Sequence, residues 1–286
     1  MTAHSSISFK TRELKPGFGI EILGVDLATA SDAECDAIAE AFQRHGVLLL
    51  RNQQLDPAAL SKFGARFGTL EPNKQLQYTV PGYPETYILS NKEVDGKRIG
   101  AHFDGITWHT DGTYLEYPPM LTLLYGIETP PEGGDTLIAD AVAAFASLPE
   151  ERRAAMLEMQ ALHSYAWFQE TRKINTRTLT DEEKAETPDV VHPFVRTHPV
   201  DGRKALFLST GAIKSIFGMP DEEARALVKE MAELVTQEQF VYTHKWQPGD
   251  LLIWDDRCTL HKATEYDDKK YFREMNRVWV RGERPF

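Results

Sequence analysis

The sequence predicts a mainly β chain of the α+β class, its short strands arranged as a sandwich or barrel with helices on the flanks. Three observations predict this. Short β-type runs recur from Tyr87 onward, Gly- and Pro-rich turn signals punctuate them, and two helical patterns interrupt them.

Taken in order, Gly19–Ile22 reads as a short strand. Ser31-Asp-Ala-Glu34 is a capping-box pattern that opens a helix with Cys35, Ile38, Ala39 and Phe42 on one face and Gly46 as its stop. Val47–Leu50 is a continuous apolar run, the mark of a buried strand. Asp56-Pro57 starts a second helix, expected to run to about Phe67. Strands are then expected at Tyr87–Leu89, Leu121–Ile127, Thr136–Ala139, Phe194–Arg196, Ala205–Leu208, Phe240–His244, Leu251–Trp254 and Arg277–Val280. The turns between them are marked by Pro130-Pro-Glu-Gly-Gly134, Asp201-Gly202 and Pro248-Gly-Asp250. Helices are expected over 149–162 and over 221–236, the latter with Ala224, Leu227, Val228, Met231, Leu234 and Val235 at helical spacing. The polar segment 165–190 reads as a mobile loop with one helical turn, suited to act as a lid.

Composition narrows the function classes. The 286 residues form one domain in this reading, 42% apolar and 26% charged, with no repeat or low-complexity tract. A net charge of −11 argues against nucleic acid as a partner, and it requires any site for an anion to be locally basic. No apolar run approaches the roughly 18 residues of a membrane span. Met1–Lys10 lacks the apolar stretch of a signal peptide, and the two cysteines, Cys35 and Cys258, lie far apart. Together these predict a reduced, cytoplasmic protein.

The chemistry begins at Trp108-His109-Thr110-Asp111. Residues two apart on an extended segment share a face, so an imidazole of His109 and a carboxylate of Asp111 can reach one metal ion. Alone the pair is weak, since His-x-Asp is also at home in a surface turn. Among nine histidines, His261 stands out. It follows an apolar strand and a polar bend, and Arg273 and Arg277 come after it. Two histidines and one carboxylate on one face of an octahedral ion make the facial triad of non-haem iron oxygenases.

At this point the chain resembles the taurine dioxygenase and 2,4-dichlorophenoxyacetate dioxygenase family of iron(II)/2-oxoglutarate enzymes. The resemblance covers nearly the whole sequence. It runs through Gly17–Leu27, Phe63–Gly68, Trp108–Asp111, Gly133-Gly-Asp-Thr136 and His192–Pro199, then Trp246–Asp250, Trp254–Arg257, His261 and Arg273–Arg277. It implies a double-stranded β-helix (jelly roll) with flanking helices. It implies Fe(II) on His109, Asp111 and His261, with 2-oxoglutarate and O2 as cosubstrates. Arg273 then grips the distal carboxylate of 2-oxoglutarate, helped by Thr136. Arg277 meets either the other carboxylate of 2-oxoglutarate or an anionic group on the substrate. A guanidinium suits both tasks because it stays charged and offers paired donors. The carboxylate at Asp111 implies oxygenation rather than halogenation. His261 and Arg273 are one residue further apart than in some relatives, through Asp267–Lys270, so a loop must absorb the extra residue.

The substrate expected from the resemblance is a small anion: a carboxylate, sulfonate, aryloxyalkanoate or sulfate ester. The hydroxylated product of such a substrate can fall apart. Asn73 stands near the position where the taurine enzyme has a binding histidine, and Gly105 stands where it has an asparagine, which argues against taurine itself. Lys74 nearby reads as an exposed loop lysine. His192 and His198 read as structural hydrogen-bonding residues, His102, His163 and His244 as structural or surface ones, and Trp108 and Trp254 as packing beside the ligands. Two other readings remain at this level: a biosynthetic hydroxylase or desaturase of the same family, and a non-catalytic metal- or ligand-binding barrel. Oligomers are common among such relatives.

Overall fold

The computed structural model describes residues 7–102, 105–172 and 178–286. Strands β1 (Lys10–Lys15) and β2 (Phe18–Leu23) form an antiparallel hairpin; only the second was expected from sequence. Helix α1 (Asp32–His45) starts at the Ser31–Glu34 capping box, with both halves of the box formed. It stops at Gly46, whose φ of 67° favours glycine. Strand β3 (Val47–Leu50) is buried at all four positions, as its apolar run predicts. Helix α2 (Pro57–Gly64) is capped by Asp56 and ends three residues short of the expected Phe67. Tertiary packing sets that boundary, because the Phe67 ring leaves the helix line to make edge contacts with Phe42 and Phe63, at 5.6 and 5.4 Å.

The chain continues through β4 (Thr79–Val80), β5 (Tyr83–Ser90), β6 (Glu93–Val94), β7 (Lys97–Arg98), β8 (Pro119–Glu128), β9 (Thr136–Asp140), α3 (Ala141–Ala146) and α4 (Glu150–Leu157). The single helix expected over 149–162 is therefore corrected. It breaks after Leu157, and β10 (Gln160–His163) pairs on both sides, with β11 (Val190–Pro193) and β14 (Ile213–Ile216). Ala161 and His163 are fully buried while Gln160 is exposed, a period of two that the short apolar run disguised. Between β10 and β11 lie α5 (Tyr165–Thr171) and α6 (Asp181–Glu186). The expected loop over 165–190 thus carries two short helices, and its residues 173–177 lie outside the described residues. The remaining elements are β12 (Val195–Thr197), β13 (Lys204–Leu206), α7 (Asp221–Val235), β15 (Val241–His244), β16 (Leu251–Asp255), β17 (Thr259–Ala263) and β18 (Glu274–Arg281).

Eight strands form the main sheet in the order β1-β2-β3-β16-β8-β18-β5-β4, and a second sheet has the order β15-β9-β17. Alternation along the strands sends apolar side chains to both faces of the main sheet. Leu48, Leu50, Leu123, Ile253 and Val278 pack against Ile38 and Phe42 of α1 and Leu60 and Phe63 of α2. Val47, Leu49, Leu124, Leu252 and Met275 pack instead with Ile138 of β9, so the second sheet covers that face. Each fully buried aliphatic side chain contributes about 1.5–3 kcal/mol. The two layers therefore hold β8, β16, β17 and β18 firmly, and these strands position the site. Cys35 and Cys258 are both free and buried. Among the described residues no helix is long and apolar enough to cross a membrane.

Candidate active site

Two distant stretches meet as directly opposed strand partners. The backbone N–H of His109 donates to the carbonyl of His261 at 3.1 Å, and the N–H of His261 donates back at 2.8 Å. Residues that exchange both bonds lie opposite each other with side chains on the same face, and the two imidazole centroids are 4.2 Å apart. The intervening Thr110 is buried and tied down, its hydroxyl donating to the Thr259 carbonyl at 2.9 Å. Asp111 therefore returns to the face of His109. Its carboxylate lies 3.4 Å from His109 Nε2 and 3.6 Å from His261 Nε2. One donor atom from each of the three residues falls within 4.8 Å of the others.

The protonation states suit a divalent metal. His109 Nδ1 is 2.7 Å from the Thr107 carbonyl, which can only accept, so Nδ1 carries a proton there and Nε2 is the nitrogen turned toward Asp111. Burial, the largest cause, pushes the His261 imidazole down to about 3, so it is neutral at pH 7. Burial alone would raise the Asp111 carboxyl. The imidazoles of His261 and His109 and the Arg277 guanidinium outweigh it and hold the carboxyl well below the ordinary carboxylate range. Two imidazoles and one carboxylate are the donor set that ferrous iron takes in oxygenases.

A buried polar group stands behind these residues. Asp256, fully buried, accepts from Trp254 Nε1 at 3.1 Å and faces His261 Nδ1 at 3.8 Å. Thr122 Oγ1 lies 2.8 Å from Asp111 Oδ2 and 2.7 Å from Asp256 Oδ2. One hydroxyl proton cannot serve both carboxylates. Burial and the Asp111 charge push the Asp256 carboxyl well above its ordinary value, which assigns the missing proton to Asp256.

Arg277 is held by stacking. Its guanidinium lies between the rings of Tyr87 and Trp279, at 4.7 and 4.2 Å, with Nη1 4.0 Å from Asp111 Oδ1. Arg273 is buried in a cleft bounded by Ala101, Ile106, Ala263 and Tyr266. Its Nε donates to the Gly134 carbonyl at 3.1 Å, and no carboxylate among the described residues lies within ion-pair distance. Burial lowers it to about 10, so it remains charged at pH 7. A buried guanidinium without a counter-ion is costly, on the order of several kcal/mol, and the cleft therefore fits an anionic ligand. Thr136, buried two residues after Gly134, accepts from Trp246 Nε1 at 3.0 Å, which leaves its own hydroxyl proton for another acceptor. The extra residue between His261 and Arg273 is absorbed in a turn at 267–271, pinned by Asn91 Nδ2 donating to the carbonyls of Asp268 and Tyr271.

The cavity beside the His–Asp–His cluster is lined by Asn73, Lys74, Tyr87, Arg277 and Trp279, together with Tyr114, Tyr165, Phe168, Gln169 and Arg172. Tyr114 packs on Tyr165 at 4.7 Å and stacks with Phe168 at 6.3 Å. Asn73 donates from Nδ2 to the Glu85 carbonyl at 3.3 Å. Sequence reasoning missed the aromatic wall, Thr122 and Trp279. The i, i+3 spacing of Tyr165 and Phe168, and the two-residue step from Arg277 to Trp279, were the available signals. A second cluster, His198, Asp255 and Cys258, is already satisfied internally. Asp255 accepts from His198 Nε2 at 3.0 Å and from Arg257 Nε and Nη2 at 2.8 and 2.7 Å, which makes it a structural strut. His192 is likewise structural, its Nε2 lying 2.9 Å from the Leu115 carbonyl.

A sheet scaffold that carries such a donor set beside a buried arginine defines a class, the mononuclear iron oxygenases that use an anionic cosubstrate. Within that class the chain belongs to the taurine catabolism dioxygenase TauD, TfdA family, whose description matches residues 10–279. It is 33% identical over 290 residues to the alpha-ketoglutarate-dependent 2,4-dichlorophenoxyacetate dioxygenase of Burkholderia sp. (strain RASC), covering 97% of this chain and 96% of that one. It is 32% identical to the alpha-ketoglutarate-dependent sulfate ester dioxygenase of Pseudomonas putida, covering 99% and 93%. The crystal structure of AAD-2 in complex with Mn(II) and N-oxalylglycine superposes with a TM-score of 0.80 at 29% identity, covering 97% of this chain and 99% of AAD-2. A taurine dioxygenase from Burkholderia xenovorans gives 0.80 at 28%, covering 98% and 91%.

Proposed function

We propose that His109, Asp111 and His261 hold Fe(II), that Arg273 and Thr136 hold 2-oxoglutarate, and that the adjoining cavity hydroxylates a small organic anion. The chain is a 2-oxoglutarate-dependent dioxygenase that uses Fe(II) and O2. The observation that carries the residue assignment is the reciprocal backbone pairing of His109 with His261, which puts two imidazoles and the Asp111 carboxylate on one face. The two packed sheets support the reading of the fold as one jelly-roll domain spanning 1–286, with 165–190 as a lid on the cavity.

Bound together, iron and 2-oxoglutarate supply the oxidising chemistry, in which O2 is consumed, 2-oxoglutarate becomes succinate and CO2, and a substrate C–H bond is hydroxylated. The chain's own residues bind and orient. The Arg273 guanidinium offers its fork to the distal carboxylate, and Thr136 supplies a hydroxyl proton to the same group. Arg277, fixed between two aromatic rings, gives the cavity positive charge beside the ligands against a net charge of −11. It is placed to meet a substrate anion or the second carboxylate of 2-oxoglutarate. Tyr114, Tyr165 and Phe168 form a dry wall for the body of the substrate and exclude water from the reacting end. Asn73 and Lys74 also line the cavity, and Asn73 contacts the substrate in this reading. Aryloxyalkanoates, sulfonates and alkyl sulfate esters fit this combination of apolar wall and arginine. A panel of these anions, assayed for succinate release with Fe(II) and 2-oxoglutarate, tests it. Absence of substrate-stimulated succinate from every anion, with neutral substrates active instead, would overturn it.

A further inference from the structure

We infer that Trp279, together with Thr122, fixes the Asp111 carboxylate so that one oxygen, Oδ1, is presented to the metal while the other is held back. This rests on the metal-binding reading above and adds two positioning residues to it. Strands β16, β8 and β18 are neighbours in the main sheet, and Thr122 of β8 is the direct partner of Trp254 on one side and of Trp279 on the other. The three residues form one row across three strands, and directly paired residues project to the same face. Thr122 Oγ1 lies 2.8 Å from Asp111 Oδ2, and Trp279 Nε1 donates to the same oxygen at 2.9 Å. Two donors occupy the acceptor positions of Oδ2. Oδ1 receives neither of these two bonds and faces His109 Nε2 at 3.4 Å, while Oδ2, held by both donors, lies 3.6 Å from His261 Nε2.

The same indole is tied on its face. Arg277 stacks on it at 4.2 Å, so the ring cannot swing without disturbing the arginine. One side chain thus orients a metal ligand with its edge and a substrate-side cation with its face. Thr122 is completely buried, and its position on a central strand leaves it no route to solvent. Residues that hydrogen-bond to metal ligands typically alter metal affinity by about 10- to 100-fold when removed.

The test is titration of the full-length protein with Co(II), read by calorimetry and by the visible absorption of the bound ion. Trp279→Phe keeps an aromatic ring beside Arg277 and removes the N–H together with part of the indole, at a residue that lines the cavity. We expect Trp279→Phe and Thr122→Val each to weaken Co(II) binding about 10-fold and to change the Co(II) spectrum, as the carboxylate gains freedom to bind through both oxygens. Thr122→Ser restores the hydroxyl and should return affinity and spectrum to those of the unaltered chain, an outcome that a merely space-filling role does not predict. Unchanged affinity and spectrum in Trp279→Phe overturn the inference alone. Failure of the unaltered chain to bind Co(II), or equal binding by His261→Ala, overturns the metal site and this inference with it.

Discussion

The two walls of the cavity are built by opposite means. The wall that carries His109, Asp111 and His261 is anchored on sheet: an isolated bridge of paired backbone hydrogen bonds joins His109 to His261 of β17, and the Asp111 carboxylate, in the turn that follows, is gripped by side chains on two adjacent strands. The facing wall comes from the seven-residue helix α5, capped by Ser164, and from Tyr114 in the turn after Asp111. The strands behind that wall are packed on both faces, whereas the short capped helix makes few contacts with the rest of the fold. In the proposed reading, reaction chemistry and substrate choice are separable in this fold, one carried by the sheet-anchored residues and the other by the inserted elements.

The sharpest break in that comparison is His261→Ala. It should reduce succinate formation by on the order of 10³-fold or more while circular dichroism and thermal midpoint stay near those of the unaltered chain. Substantial residual turnover would remove the sheet wall from the chemistry. Next, Arg273→Ala should raise the 2-oxoglutarate concentration needed for half-maximal rate by about 100-fold, the cost of deleting one partner of a buried charge pair at roughly 3 kcal/mol. An unchanged requirement would free that cleft for another role. On the facing wall, Phe168→Ala should raise KM for the organic substrate by about 5- to 10-fold, as for loss of one aromatic contact, and leave KM for 2-oxoglutarate unmoved. A matching rise in both would show that the two walls are coupled.

The smallest effect concerns pH and lies outside the cavity. Burial pushes His163 down to about 3, with His192 adding to it, and pushes His192 down to about 4. Both folded values lie below the unfolded value near 6.5, so the unfolded chain binds more protons. Stability from this pair is complete above about pH 7. It falls as the pH drops from about 6.5 towards 4, at up to about 1.4 kcal/mol per pH unit for each histidine. Urea midpoints measured across that range should show His163→Phe less acid-sensitive than the unaltered chain, and parallel curves would count against the buried pair.

Local signals wrote themselves into the sequence and the structure kept them. The Ser31–Glu34 box, Gly46 and the Val47–Leu50 run act within a few residues, so composition alone reveals them. Gly133-Gly134 is similar: both have positive φ, and a Cβ on Gly133 would stand 2.5 Å from the Glu265 carbonyl oxygen. The break after Leu157 was not legible. Gln160–His163 is too short to show its period, and its strand state depends on β11 and β14, which arrive 30 to 50 residues later.

By itself the sequence determined the donor types, the charge of the cavity's arginines and, through its family pattern, the reaction class. Only the tertiary structure decided that Oδ2 of Asp111 is held by a row of side chains from two strands, that Arg277 is clasped by two rings, and that an aromatic wall faces the ligands. The reason is distance along the chain. Thr122, Trp279 and Asp111 become neighbours through strand order and register, and those are fixed by the packing of the whole sheet rather than by any local stretch.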